Sequence, residues 1–265
     1  MRFLTGDADG GLACATQLVD QPLLLQVSVL CVVQMLLDGP RTQPFLQHLG
    51  AQLTSRDSSV AAAAAHVLSN ILRCVPSSAT AVCDTPDIAP LLHLHLKIGA
   101  AATPAAVSLA SASLHLLAAL ALTPDGYAIS AGQPLVAPAV CALLAKHYGV
   151  AAAAAGATEL HHAAAACIAA LTTRGKTSRK ALASDAGASV LMLDSFMRYG
   201  SSISSNLDIS SKVVPEDWND EAKATALSAA STAAAAAAAA CAITGNLLSA
   251  LCNLSQIDES RSCLG

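Results

Sequence analysis

The stretch that decides the fold class is Ala61-Ala-Ala-Ala-Ala-His-Val-Leu-Ser-Asn-Ile-Leu-Arg73. Alanine and leucine are strong helix formers, and neither glycine nor proline interrupts the run. At helical spacing one side is apolar, formed by Val67, Leu68, Ile71 and Leu72. His66, Asn70 and Arg73, at i, i+4 and i+7, form a polar stripe on the other side. The stretch therefore predicts an amphipathic helix with one buried and one accessible face.

Variants of this pattern recur as alanine-rich helices that end in Leu-x-Asn-Leu or a relative of it. The copies lie at 31–35, 67–71, 116–120, 167–171 and 250–254. Polar breaks such as 123–132 and 178–187 separate them, where turns between helices are needed. Recurrence of this kind is typical of helical repeat proteins, in which each unit packs only on its neighbours.

Composition supports an all-helical chain with an aliphatic core. Of the 265 residues, 54% are apolar and only 3% are aromatic, whereas strands favour aromatic and β-branched residues. The formal charge is −4 and no run of lysine and arginine occurs, which argues against a nucleic-acid partner.

Nine cysteines, an odd number without a Cys-x-x-Cys pair, indicate free, buried thiols rather than a disulfide framework. Residues 1–21 lack the apolar core of a signal peptide, and we expect them to be a flexible N-terminal segment. These features predict an intracellular protein of the cytoplasm or nucleus.

Segments 64–71 and 248–255 resemble the third helix of armadillo repeats of the importin-alpha and beta-catenin type. The resemblance implies an armadillo or HEAT-like α-solenoid, a right-handed superhelix of helical repeats. About four repeats would occupy 22–200, the first of them partial. An alanine-rich helix and a last, apparently truncated repeat would follow in 224–265.

A family member of this kind would act as a scaffold or adaptor that holds a partner protein or peptide along its concave face. In such repeats the asparagine hydrogen-bonds the main chain of the ligand, and an amide suits this role because it both donates and accepts. The implied partner-binding residues are His66, Asn70, Arg73, His115, Ser249 and Asn253. Histidine or serine replaces the tryptophan of importin-alpha, so recognition of basic signals is not expected. A merely solvated helix face is the alternative.

Residues 201–223 interrupt the pattern with serines, Pro215 and acidic residues, a composition that predicts an insertion loop. This loop holds Trp218, the chain's only tryptophan. Trp218 is either part of a docking motif or the one aromatic that anchors a solvated loop.

Motifs for catalysis or cofactors are missing from the sequence. No Gly-x-Ser-x-Gly, phosphate loop or dinucleotide fingerprint occurs, so we expect no enzyme, no cofactor and no small-molecule substrate. His93 and His95 are two apart and His161 and His162 adjacent, so neither pair faces one ion on a helix, and no metal site is predicted.

The sequence is also compatible with two other functions. Uncharged stretches at 22–37, 104–124 and 225–257 admit an alanine-rich helical membrane protein, although alanine contributes little to insertion. The chain could also be the substrate-binding array of a larger protein such as a ubiquitin ligase.

Overall fold

A computed structural model describes residues 42–84, 88–99, 103–131, 136–146, 157–174, 176–184, 186–211 and 220–256. All regular elements within these ranges are helices, which confirms the all-α prediction. In chain order they are α1 Thr42–Gln52, α2 Ser58–Cys74, a 3-10 turn Pro76–Ser78, α3 Ala79–Cys83, α4 Ile88–Gly99, α5 Pro104–Ala121, α6 Pro124–Ala131, α7 Val136–Lys146, α8 Ala157–Arg174, α9 Lys176–Ser184, α10 Ala186–Ser210 and α11 Asp220–Leu254.

Local side-chain chemistry sets the ends of α2 and the start of α5. The Asp57 carboxylate caps α2 by accepting a hydrogen bond from the Ser59 amide at 2.8 Å. At α5 the Thr103 hydroxyl accepts from the Ala106 amide, and Pro104 occupies the first turn, where its missing N–H costs nothing. α2 ends before Pro76, because a residue that precedes proline disfavours the helical region.

Four helices pack one on the next along the chain: α2 against α5, α5 against α8, and α8 against α11. α4 packs against α5, and α7 against α8. Because α5 has neighbours on several sides, it buries nearly its whole circumference. Its largest buried side chains are Val107, Leu109, Leu114, Leu116, Leu117 and Leu120. The largely apolar composition of α5 is therefore that of a core helix.

Most of the described residues of the predicted insertion loop are helical. Residues 201–210 continue α10, and 220–223 form the first turn of α11, which packs along α10. Serine hydroxyls in α10 donate back to carbonyl groups one turn earlier, as from Ser201 to Arg198, and so leave the helical ladder intact. Trp218 lies outside the described residues, as do the whole segment 1–41 and residues 257–265.

The alanine tract 233–240 is helical, as its propensity predicts. It lies in the middle of α11, where Ala233, Ala237 and Ala240 are buried one turn apart. Further along, Ile243, Leu247, Ala250 and Leu254 continue the buried stripe. The small side chains let α11 lie close to its neighbours along this stripe.

Two helices of the described chain, α5 and α11, are long and apolar enough to cross a membrane. In α5, 78% of the apolar window is buried inside the fold, which its place in the core explains. In α11 only 22% of the window is buried. Length and composition alone are weak evidence for a membrane span, because core helices pass the same test.

The six cysteines in the described ranges are free thiols. Burial raises the pKa of Cys83 to about 11 and that of Cys167 to about 12, so both stay protonated at neutral pH. The prediction of free thiols is confirmed for these six. The prediction that they are buried is wrong for Cys74, Cys241 and Cys252, which are exposed on helix surfaces.

Candidate functional site

A row of three histidines crosses adjacent helices, one from each: His66 on α2, His115 on α5 and His162 on α8. The ring centroids of His66 and His115 are 5.9 Å apart, and those of His115 and His162 are 6.0 Å apart. We call these three residues the histidine row. It exists because the three helices lie side by side and present polar positions to the same surface.

The central histidine is held between two charged side chains. His115 Nε2 lies 2.9 Å from Glu159 Oε1, and Arg73 Nη2 lies 3.3 Å from His115 Nδ1. A guanidinium can only donate, so Nδ1 accepts from Arg73. Nε2 then carries the ring proton and donates it to Glu159. This tautomer is the one that satisfies both contacts, and it links α2, α5 and α8 through one imidazole.

Neighbouring charges and burial fix the protonation of two further groups. The hydrogen bond from His115 holds the pKa of Glu159 below its ordinary value, against the opposing effect of burial. Burial lowers the pKa of His66, and the nearby His115 lowers it further. At neutral pH the site therefore combines an ionised carboxylate with a neutral imidazole.

Asn70 lies one turn after His66 on α2 and is half-buried. Its amide makes no hydrogen bond to any other residue in the described part of the chain. The preceding Ser69 is buried, and its hydroxyl donates to the His115 carbonyl at 3.1 Å, which locks α2 to α5. The N–H and C=O groups of the Asn70 side chain are thus available to a ligand, next to the Ser69–His115 hydrogen bond.

The structure brings together only some of the predicted partner-binding residues. His66, Arg73 and His115 are in contact, and Asn70 lies beside them. The Asn253 amide instead donates to Thr172 and Thr173, at 3.2 and 3.4 Å.

Thr172 lies ten residues beyond His162 on α8, about 15 Å along the helix axis. Ser249 is exposed one turn before Asn253 on α11. Ser249 and Asn253 therefore form no part of the histidine row. The Asn253 amide instead joins α11 to α8.

Glu159 and His162 are not among the site residues predicted from the sequence, because within one helix they offer only two ligands. The adjacent histidines diverge: His161 Nδ1 pairs with the Tyr199 hydroxyl, whereas His162 contacts His115 on another helix. Glu159, His162 and His115 have ligand atoms that all lie within 4.8 Å of one another. The available signal was Glu159 and His162 one turn apart on α8, but their partner is 44 residues from Glu159.

No protein-family model and no curated protein matches the chain. A solved structure that resembles it is the crystal structure of an engineered protein, with a TM-score of 0.48 and 17% sequence identity. The match covers 96% of this chain and 94% of that one. Similarity at this level supports no statement about the function of the chain.

The three histidines whose pKa values are lowered mainly by burial, His66, His93 and His95, predict a stability that falls in mild acid. Each binds its proton less readily when folded than the ordinary value of about 6.5 allows. The unfolded chain therefore binds more protons below that value, and the free energy of unfolding declines as pH falls through it.

Urea unfolding at pH 7.5 and 5.5 measures this effect. His95, which is 4% exposed and contacts the Ser113 hydroxyl at 2.9 Å, provides the variant. His95→Gln should show a smaller loss between the two pH values than the wild type. An equal loss in both proteins would exclude His95 as a source of the pH dependence.

Proposed function

We propose that the chain is an armadillo-like α-solenoid that works as a protein-binding scaffold, holding an extended segment of a partner across the histidine row. The packing of α2, α5, α8 and α11 in sequence order supports this arrangement, because repeats of a solenoid contact their neighbours in the chain. The helical array would have the same role as the substrate-binding part of a larger protein, such as a ubiquitin ligase.

The observation that carries the proposal is the polar surface that these helices share on an otherwise aliphatic body. The Asn70 amide has no partner among the described residues, and the Glu159 side chain is 57% exposed and ionised. An amide can pair with both groups of a peptide bond, while a carboxylate pairs with a lysine, an arginine or a backbone N–H. The surface therefore suits an extended peptide with at least one basic residue.

The proposal includes no catalytic step and no small-molecule or nucleic-acid partner. The cluster contains no nucleophile next to a base, and Cys83 and Cys167 are held as thiols. The exposed free thiols of Cys74, Cys241 and Cys252 support a reducing compartment, the cytoplasm or the nucleus.

The test is affinity capture from detergent-free lysate with quantitative mass spectrometry. Wild type is compared with Asn70→Ala/Glu159→Gln, which removes the amide and the charge while keeping the bulk of the acidic side chain. The partner segment should bind this variant about thirtyfold to a hundredfold more weakly, since each of the two lost contacts costs about 1–1.5 kcal/mol.

The matched control is Asn206→Ala/Glu221→Gln, which makes the same two changes where α10 lies against the first turns of α11. It should keep the partners of the wild type. Equal capture by all three proteins would reject the surface as the binding site. A chain that requires detergent to stay in solution would instead favour membrane association, for which the exposed window of α11 is the structural support.

A further inference from the structure

We propose that His115, Glu159 and His162 form a binding site for a divalent transition-metal ion, with Zn²⁺ as its best match. The site lies between α5 and α8 and needs no partner protein, so it goes beyond the scaffold function. Two imidazoles and one carboxylate are the ligand set of many zinc sites that keep an open coordination position. Harder ions such as Mg²⁺ prefer oxygen ligands and are disfavoured here.

The geometry needs only a small adjustment. The three ligand atoms lie within 4.8 Å of one another, and His115 Nε2 is already 2.9 Å from Glu159 Oε1. Ligand atoms of a tetrahedral zinc ion are about 3.4 Å apart, given bonds of about 2.1 Å. A rotation of the His162 and Glu159 side chains closes this difference. Glu159 is the more exposed of the pair, so it moves at little packing cost.

The surroundings hold the His115 ring in place. The His115 side chain is only 12% exposed, its ring contacts His66, and its backbone carbonyl accepts the Ser69 hydroxyl. These contacts restrict the ring before any ion arrives, which reduces the entropy lost on binding. The Glu159 side chain is 57% exposed, and its carboxylate supplies charge compensation for a bound ion.

Binding changes the tautomer of His115. Before an ion binds, Nε2 carries the proton and donates it to Glu159. The ion takes the lone pair of Nε2, so the proton leaves that nitrogen and the neutral ring carries it on Nδ1. Nδ1–H then faces the guanidinium of Arg73, which cannot accept it. Arg73 is exposed and must swing away, so this arginine opposes metal binding.

The experiment titrates purified, metal-stripped chain with Zn²⁺ by isothermal titration calorimetry at pH 7.5. The wild type should bind one ion tightly at this site. Glu159→Gln and His162→Gln should each weaken binding at least tenfold, while His48→Gln, a half-buried histidine on α1, should leave it unchanged. Arg73→Gln should tighten binding about tenfold, because it removes a nearby positive charge.

Exposed thiols are the competing ligands, so Co²⁺ provides the second measurement. Cobalt bound by nitrogen and oxygen shows visible d–d bands without the near-ultraviolet charge-transfer band of a cobalt–thiolate bond. Absence of that band supports the site. The proposal is overturned if the thiolate band has the intensity expected for one thiolate-bound cobalt ion per chain. It is also overturned if all variants bind Zn²⁺ with equal affinity. If the wild type does not bind one ion per chain, the metal-site proposal is also overturned, and the contact of His115 with Glu159 is a structural hydrogen bond. This outcome does not affect the proposed binding of a protein partner.

Discussion

Leu114→Ala should lower the free energy of unfolding by about 2–5 kcal/mol, because the substitution leaves a cavity in a core that can collapse only partly. The Leu114 side chain is 0% exposed. It lies near the middle of α5, the helix that contacts α2, α4 and α8. Any relaxation around the cavity must therefore shift several helices together. Urea unfolding followed by circular dichroism measures the loss.

Leu122→Ala is the matched control. Leu122 ends the same helix but is 49% exposed, so its truncation should change stability by no more than about 0.5 kcal/mol. Similar losses for both variants would contradict the placement of α5 in the core. That outcome would also contradict the explanation that α5 is apolar because it is a core helix. This explanation is the reason not to interpret α5 as a membrane span.

The faces of α2 could be predicted from the sequence because helical periodicity is a local property. Val67, Leu68, Ile71 and Leu72 are all buried, as the pattern indicated. On the opposite side Asn70 and His66 are half-buried, and Arg73 is exposed. Only backbone geometry and the positions of apolar residues are needed for this prediction, and both are available without knowledge of the neighbouring helices.

Residues 201–210 show where composition misleads. Serines and polar side chains without a run of apolar residues indicated a loop, yet the segment extends α10. The stabilising element is α11, which packs along α10 but begins beyond residue 219 in the chain. Tertiary packing of this kind overrides weak helix propensity, and no local pattern in 201–210 reports it.

The candidate site depends on register between helices, which local patterns do not contain. The sequence indicated His66, Arg73 and His115 from their places within recurring helices. It did not indicate that His115 meets Glu159, because this contact requires the axial offset of α5 against α8. The position of α11 against α8 likewise explains Asn253: its motif position matches that of Asn70, but the threonines of α8 accept hydrogen bonds from its amide.

Gly126→Ala should destabilise the fold by about 1–3 kcal/mol, the usual cost of forcing extra volume into a packed position. A Cβ at this position would lie 2.5 Å from the Leu120 carbonyl oxygen and 2.7 Å from Thr123 Oγ1. Neither atom can retreat easily. The Leu120 carbonyl accepts both the amide and the hydroxyl of Thr123, and the Gly126 amide donates to that hydroxyl.

The matched control should change the free energy of unfolding in the opposite direction. Gly245 lies inside α11, and a Cβ there would meet nothing within 4 Å. Gly245→Ala should therefore stabilise the chain by about 0.5–1 kcal/mol, because alanine loses less backbone entropy in a helix. Opposite signs for the same chemical change would establish that the close contact between the first turn of α6 and the end of α5 requires glycine. If Gly126→Ala proved neutral, the Leu120–Thr123–Gly126 hydrogen bonds could not be as close as the structure places them, and the path from α5 into α6 would need revision.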